Sequence, residues 1–327
     1  MKGSAMLRLI FTPEDLARVR LAPGPDPLWE SLLSAHQVHA LDGARIFGAW
    51  HRRVVPDMPR AALPYLALTP PVGYSPDFLT PEGGSTDFAA GAENMLYTPP
   101  ERIAAELGVL GRDRRMPGWA HDLAEGSPRA LRSLRAAMAA FHAHAVEPVW
   151  SRVRRVVDAD RSARTQVLAA SGVEAVLSTL HPTTTWADGV LTVHSRVMRR
   201  DIHLAGRGLT LVPSYFCWRM PITLANPDLA PVLVFPVAHE RHLLDEPAGG
   251  EGALAALLGR TRARALRELA GSASTTLLAQ RMDISPASAS EHTTVLRRAG
   301  LVASQRDGRR VVHVLTELGQ GLLEGTT

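Results

Sequence analysis

The chain has 327 residues, 46% of them hydrophobic and 21% charged, a balance typical of folded domains and far from the low-hydrophobicity, high-charge compositions that stay disordered. At about 150 residues per domain the length points to two domains and excludes a small stapled scaffold. The formal net charge is +4, from 36 Lys+Arg against 32 Asp+Glu; nearly every cation is arginine, Lys2 being the only lysine, so basicity by itself identifies no partner. The single cysteine, Cys217, excludes an internal disulfide framework and a cysteine-based metal cluster, and suits a reducing compartment. No uninterrupted apolar run reaches about 18 residues, and residues 1–6 lack the apolar core of a signal peptide. The expected location is the cytoplasm.

In chain order, Leu7-Arg8-Leu9-Ile10-Phe11 reads as a strand. Thr12-Pro13-Glu14-Asp15 follows as a helix start, with a capping residue, proline at the first helical position and acids in the first turn. A second helix is expected from Asp26-Pro27 through Leu28, Trp29, Leu32, Leu33 and His36, where apolar residues recur at three- and four-residue steps. Dense proline and glycine between about residues 54 and 100 confine regular structure to brief helices and loops. Ser127-Pro128 opens a long helix with Leu131, Leu134, Met138, Phe141 and Ala145 on one face; Pro148 interrupts it, and another helix is expected from Val149 to about Ala170.

Past Gly172 the pattern turns β-prone. Runs at residues 189–193, 209–214 and 231–236, bounded by Gly and Pro, are expected to be strands of one sheet. Residues 239–252 contain Asp245-Glu246-Pro247-Ala248-Gly249-Gly250-Glu251-Gly252 and read as a linker. The expected fold class is α+β, with an N-terminal mixed α/β domain at residues 1–240, a linker at 241–252 and a C-terminal domain at 253–327.

That last domain has the clearest periodicity. Leu254, Leu257, Leu258, Leu266 and Leu269 form an apolar stripe that predicts one helix ending at Gly271, and residues 275–282 predict a short helix carrying the small Ala279. Asp283-Ile284-Ser285 turns the chain, and Pro286 begins a helix stopped by Gly300. A small residue in the first helix, an apolar residue in a three-residue turn and a serine-capped second helix are what helix-turn-helix packing requires. Residues 301–315 are two β-prone runs joined through Asp307-Gly308, a strong hairpin signal, and predict a wing; a last helix is expected from about Thr316, with Leu318 and Leu322.

Ser285-Pro286-Ala287-Ser288-Ala289-Ser290-Glu291-His292, then Leu296-Arg297-Arg298-Ala299-Gly300-Leu301-Val302 and the basic Asp-Gly wing, resemble the ArsR family of winged helix-turn-helix regulators, over about the last quarter of the chain. Gly206-Arg207-Gly208-Leu209-Thr210-Leu211-Val212-Pro213-Ser214 is similar to the larger actinobacterial members, which carry an uncharacterised N-terminal domain. The resemblance implies a repressor that binds an inverted-repeat operator as a homodimer. Metal-sensing members place cysteines where this chain has Ser274 and Thr276, which supply no thiolate, so no metal and no cofactor are expected. Asp283 stands where Gly is usual, and Asp tolerates the left-handed conformation.

A recognition helix presents its first turns to base edges while phosphate contacts fix its orientation. The candidates for DNA contact are Ser285, Ser288, Ala289, Ser290, Glu291, His292 and Arg297, with Arg306, Arg309 and Arg310 in the wing. Each has a plainer reading: Ser285 as a helix cap, Ser290 turned toward the preceding helix, Glu291 as a solvated acid, Arg297 as a partner of the helix C-terminus.

In the first 250 residues, His142 and His144 lie two apart on a helix and read as exposed surface histidines. His239-Glu240-Arg241-His242 lacks the spacing of zinc hydrolases, and no nucleophile elbow, phosphate loop or dinucleotide fingerprint is present. Tyr215, Cys217 and Trp218, with Phe216, either line an apolar effector pocket or form ordinary core. The expected function is sequence-specific regulation of transcription on double-stranded DNA, with a small-molecule effector as a further partner and no membrane. The alternative is an enzyme with a regulatory DNA-binding tail.

Overall fold

The computed structural model describes residues 5–40, 43–71, 73–81, 86–112, 114–195, 199–239, 250–307 and 310–324. The fold is mixed α+β, and the chain divides into two compact units, Met1–Leu244 and Asp245–Thr327. No helix among the described residues is long and apolar enough to cross a membrane.

The larger unit opens with β1 (Ala5–Ile10), α1 (Pro13–Ala17), β2 (Arg20–Leu21) and α2 (Pro27–His39). Local caps set the helix starts. In a capping box before α1 the Thr12 hydroxyl accepts the Asp15 N–H and the Asp15 carboxylate accepts the Thr12 N–H, and the Asp26 carboxylate accepts the Leu28 and Trp29 N–H groups at α2 (2.9 and 3.2 Å). Short helices α3 (Ala44–Val54), α4 (Leu63–Leu68), α5 (Phe88–Asn94), α6 (Pro100–Leu110) and α7 (Trp119–Ala124) fill the proline-rich stretch.

The central helix of this layer is α8 (Pro128–Ala145), started by Ser127 and Pro128; Leu131, Leu134, Met138, Phe141 and Ala145 are all buried, as the periodicity requires. A 3-10 turn at Pro148 separates it from α9 (Trp150–Ser178). That helix runs past the expected end near Ala170, because it kinks at Gly172 (φ 80°) and resumes, so that Val176 and Leu177 are buried in the core beside the sheets.

The β-prone runs do not share one sheet. The strands β3 (Thr184–Ala187), β4 (Val190–Ser195) and β5 (Arg200–His203) join β1 in a sheet ordered β3-β4-β1-β5, whereas β6 (Thr210–Ser214) and β7 (Val232–Pro236) join β2 in a wholly parallel sheet ordered β2-β6-β7. The reason is a paired exit. Parallel neighbours β1 and β5 both hand their chains to the second sheet, through α1 and through the turn at residues 205–208. The two exits are bolted together: the Gly208 N–H donates to the Asp15 carboxylate (2.8 Å), and Gly208, at φ 76°, lies so close to Arg18 that a Cβ would stand 2.5 Å from its carbonyl oxygen.

The parallel sheet is covered on both faces, as such sheets require. Leu211, Leu233 and Phe235 meet Leu7, Leu9 and Leu191 on one side; Val212 and Val234 meet the helical core around Trp50, Phe141 and Phe216 on the other. At the carboxyl end of β6 the chain leaves the ladder, and Glu30 of α2 supplies the missing acceptor. Its fully buried carboxylate takes the N–H groups of Tyr215 and Phe216 (2.8 and 2.9 Å) and the Ser214 hydroxyl (3.0 Å).

The histidine reading needs correcting. His142 and His144 are half-buried, not exposed: His142 stacks on Phe88 (centroids 4.1 Å apart) with Nδ1 2.9 Å from the Ser31 hydroxyl, and His144 Nε2 meets the Val54 carbonyl at 2.9 Å. Burial pushes His142 down to about 4. Both gain local partners from neighbouring helices that spacing along α8 does not reveal.

Burial also pushes the Glu30 carboxyl up to about 7, against the opposing pull of the N–H groups it accepts. A carboxyl raised in the folded state contributes stability that is complete below the unfolded value near 4.5 and is lost as pH rises through about 7. Replacing Glu30→Gln removes that slope and leaves an N–H facing an amide, at a cost of about 1–3 kcal/mol. Urea unfolding of the full chain, followed by the hydrogen exchange of residues 27–39 at several pH values, should show the wild-type minus variant difference shrinking between pH 4.5 and 7.

Candidate nucleic-acid interface

The smaller unit contains α10 (Gly250–Leu258), α11 (Arg260–Glu268), β8 (Ala273–Ser274), α12 (Thr275–Met282), α13 (Pro286–Arg298), β9 (Val302–Asp307), β10 (Arg310–Leu315) and α14 (Glu317–Glu324). The single helix expected up to Gly271 is two, because Gly259 takes a left-handed φ of 82° and breaks the stripe; Leu257 then projects to solvent, 69% exposed.

Two caps and one turn orient α13. The Ser274 hydroxyl accepts the Leu277 N–H to start α12, and Asp283 ends it at φ 55°, ψ 51°, the left-handed state that its short polar side chain tolerates. The Ile284 N–H returns to the Ala279 carbonyl (3.0 Å), and the half-buried Ile284 packs on the unit's core. Ser285 then caps α13, accepting the Ser288 N–H (3.1 Å), with Pro286 in the first turn. Ala279 is 3% exposed and lets the two helices close.

The inward face of α13 is Ala289, Thr293 and Leu296, packed with Leu266, Leu278 and Met282 or hydrogen-bonded back to the helix. This corrects the placement of Ala289 among the groove-facing residues: its methyl is 0% exposed and fills the core. The outward face carries Ser290, Glu291, Arg297 and Arg298, all exposed, with Ser288 and His292 half-buried beside them. Ser290 points to solvent and not toward the preceding helix. The Ser285 and Ser288 hydroxyls lie 2.9 Å apart, so Ser285 serves first as a cap.

The hairpin follows directly. Strands β9 and β10 pair antiparallel from Leu315 opposite Val302 to Arg310 opposite Asp307, and β10 also pairs with β8, giving the order β8-β10-β9. The backbone of Arg306 and Arg310 belongs to this ladder; their side chains, and all of Gly308 and Arg309, lie outside the described residues. At the hairpin's base, His313 is 5% exposed and bridges two elements: Nε2 meets the Thr275 hydroxyl and Nδ1 the Ser304 hydroxyl, each at 2.9 Å. Burial, then the Arg297 charge, holds this imidazole below its usual value, so it stays neutral, donating through one nitrogen and accepting through the other. Sequence reading missed His313; an alternating strand with one polar residue on its buried face was the available signal.

It also missed the cations of α11. Arg260, Arg262 and Arg264 are exposed, Arg264 donates to the Arg281 carbonyl (3.0 Å), and Arg281 to the Glu268 carbonyl (3.1 Å). Arg297 and Arg298 at the end of α13 are likewise exposed. Among the described residues no cluster of His, Cys, Asp and Glu is arranged to hold a metal ion.

The residues singled out in the larger unit do not join a site. Tyr215, Phe216 and Cys217 are buried, and Trp218 is half-buried; they pack around Phe47 with His239, whose Nε2 meets the Tyr215 carbonyl at 2.7 Å. Burial drives the Cys217 thiol well above its usual value, which leaves it unreactive. The remainder of the 239–242 histidine pair and residues 241–249 of the expected linker lie outside the described residues; its last three residues, 250–252, are not linker but the first turn of α10.

The molecule is thus a two-unit α+β protein whose smaller unit presents a capped, polar-faced helix beside a three-stranded sheet. Residues 85–241 match the model of a family of unknown function, DUF5937. No curated protein matches the chain. Among solved structures it is similar to reduced HlyU from Vibrio cholerae N16961, at 23% identity over 23% of this chain and 82% of that chain, with a TM-score of 0.20.

If Ser285 and Asp283 set the direction of α13, Ser285→Ala should cost about 1 kcal/mol, and Asp283→Val about 1–2 kcal/mol, whereas Asp283→Gly should be tolerated. Hydrogen exchange of amides 288–296 in the full chain measures this; equal protection in all three variants would remove the turn from its role.

Proposed function

We propose that the chain is a sequence-specific DNA-binding regulator of transcription and not an enzyme. In this reading residues 253–327 form a winged helix-turn-helix domain of the ArsR type, acting as a repressor in the cytoplasm. A homodimer addresses an inverted-repeat operator, and the larger unit, at residues 1–240, supports dimerisation or senses a small effector.

The observation that carries the reading is the face of α13. A helix fixed by a left-handed turn and a serine cap exposes short polar side chains at its start and arginines at its end. A helix of this kind enters the major groove with its first turns at the base edges. Ser288 and Ser290 donate to bases or phosphates, Glu291 accepts from cytosine N4, and His292 reaches either. Arg297 meets phosphate. Arg306, Arg309 and Arg310 contribute cations for the flanking phosphates or the adjacent minor groove. The hydrogen bonds of His313 to Thr275 and Ser304 support a fixed relation between hairpin and helix, as bidentate reading of one half-site demands.

Mapping the genomic sites occupied by the protein, followed by anisotropy titrations on those duplexes, tests this reading. Changing Arg309 and Arg310 to alanine should weaken all sequences alike and lower the slope of log K against log salt by about 0.9 per cation. Changing Ser290 and His292 to alanine should instead alter base preference at single positions, by about 1–3 kcal/mol each. Occupancy with no shared sequence, or an unchanged salt slope, would contradict it.

A further inference from the structure

The larger unit holds a cavity of about 240 Å³ between the start of α2 and one face of the parallel sheet. Its floor is built from register. Arg20, Thr210 and Val232 stand side by side across β2, β6 and β7, and Ala22 and Val212 form the next row on the same face. Trp29 and Asp26, from the beginning of α2, make one wall, and Leu224 another. Tyr215, Cys217 and Trp218 do not line it.

The polar groups are unequal in what they have left to bind. Asp26 is engaged at the helix start, where it accepts the Leu28 and Trp29 N–H groups. Arg20 is exposed at the mouth, and among the described residues its guanidinium has no hydrogen-bond or ion-pair partner. Arg20 is thus the cation of this lining that can meet an anion. Thr80, Thr86 and Thr210 add hydroxyls, and Val212, Leu224, Val232 and Trp29 supply an apolar wall that suits a hydrocarbon body, which an inorganic anion lacks. The volume lies below the range of about 300–1,000 Å³ that holds drug-sized ligands.

We infer that this cavity binds a small monocarboxylate with an apolar body, a single aromatic ring or a short branched chain, whose carboxylate pairs with the Arg20 guanidinium. An arginine fork meets a carboxylate through two parallel hydrogen bonds, so one exposed side chain supplies both charge and direction. As a binding site the cavity stands on the larger unit alone. Only its use as a control on DNA binding rests on the regulator reading above.

The test is a titration of the full chain, without DNA, by sodium benzoate and by 3-methylbutanoate, followed by tryptophan fluorescence and by the melting temperature. Saturable binding with a raised melting temperature is expected for at least one of the two. It should weaken tenfold or more in Arg20→Gln, recover in part in Arg20→Lys, and weaken tenfold or more when benzyl alcohol replaces benzoate. No saturable response to either carboxylate, an affinity unchanged in Arg20→Gln, or equal competition by inorganic phosphate would each overturn the assignment. The readouts contain no duplex, so failure of DNA binding in its own assay leaves this result intact.

Discussion

The larger unit depends on carboxylates that stand in for absent backbone partners. Four acids on or beside helices reach segments far away in sequence: Asp15 takes the Gly208 N–H, Glu30 those of Tyr215 and Phe216, Asp77 those of Ala225 and Asn226, and Glu106 that of Phe78. Gly208, Tyr215, Phe216 and Phe78 are buried, where an N–H without an acceptor costs about 1–3 kcal/mol, and Ala225 and Asn226 are half-buried. The arrangement has its own cost. Burial raises the carboxyls of Glu30, Asp77 and Glu106, while for Asp15 the backbone donors outweigh burial and hold it low. The irregular chain between residues 204 and 230 is thereby fixed to the helical layer, and with it the floor and walls of the cavity above the parallel sheet.

The smaller unit uses a different economy of means. Its core is aliphatic and includes the small residues Ala263, Ala265, Ala279 and Ala289. Among the described residues its buried polar side chains are Thr293, bonded back along α13, and His313, tying the hairpin to α12. Caps and buried hydrogen bonds hold the direction of α13 without enlarging the core. Arg260, Arg262 and Arg264 of α11 and Arg297 and Arg298 at the end of α13 are exposed.

What was legible in the sequence follows from range. The starts of α2, α8 and α13 are written in adjacent residues, Asp26-Pro27, Ser127-Pro128 and Ser285-Pro286, because capping is a local event. The left-handed turn at Asp283 was legible for the same reason. Membership of a sheet is not local, and the separation of β4 from β6 and β7 depends on Asp15 meeting Gly208 across almost 200 residues of chain. The break at Gly259 was hidden because leucines on both sides of it keep the same apolar spacing. Ala289 looked like a groove residue because its neighbours are polar, yet helical rotation turns it inward with Thr293 and Leu296. Arg20 carried no sequence signal at all; its place beside Thr210 and Val232 exists only once β2 pairs with β6.

In the proposed function the outward face of α13 lies against base edges. Cys217, the chain's one cysteine, is buried, so Ser290→Cys offers a single accessible thiol for a tethered DNA-cleaving iron chelate. Bound to a mapped operator, the labelled full chain is predicted to cut within the major groove of each half-site, in two patches about one helical turn apart or a multiple of it. Cleavage no stronger or more localised than that of the free chelate, on duplex that the protein demonstrably occupies, would contradict the account.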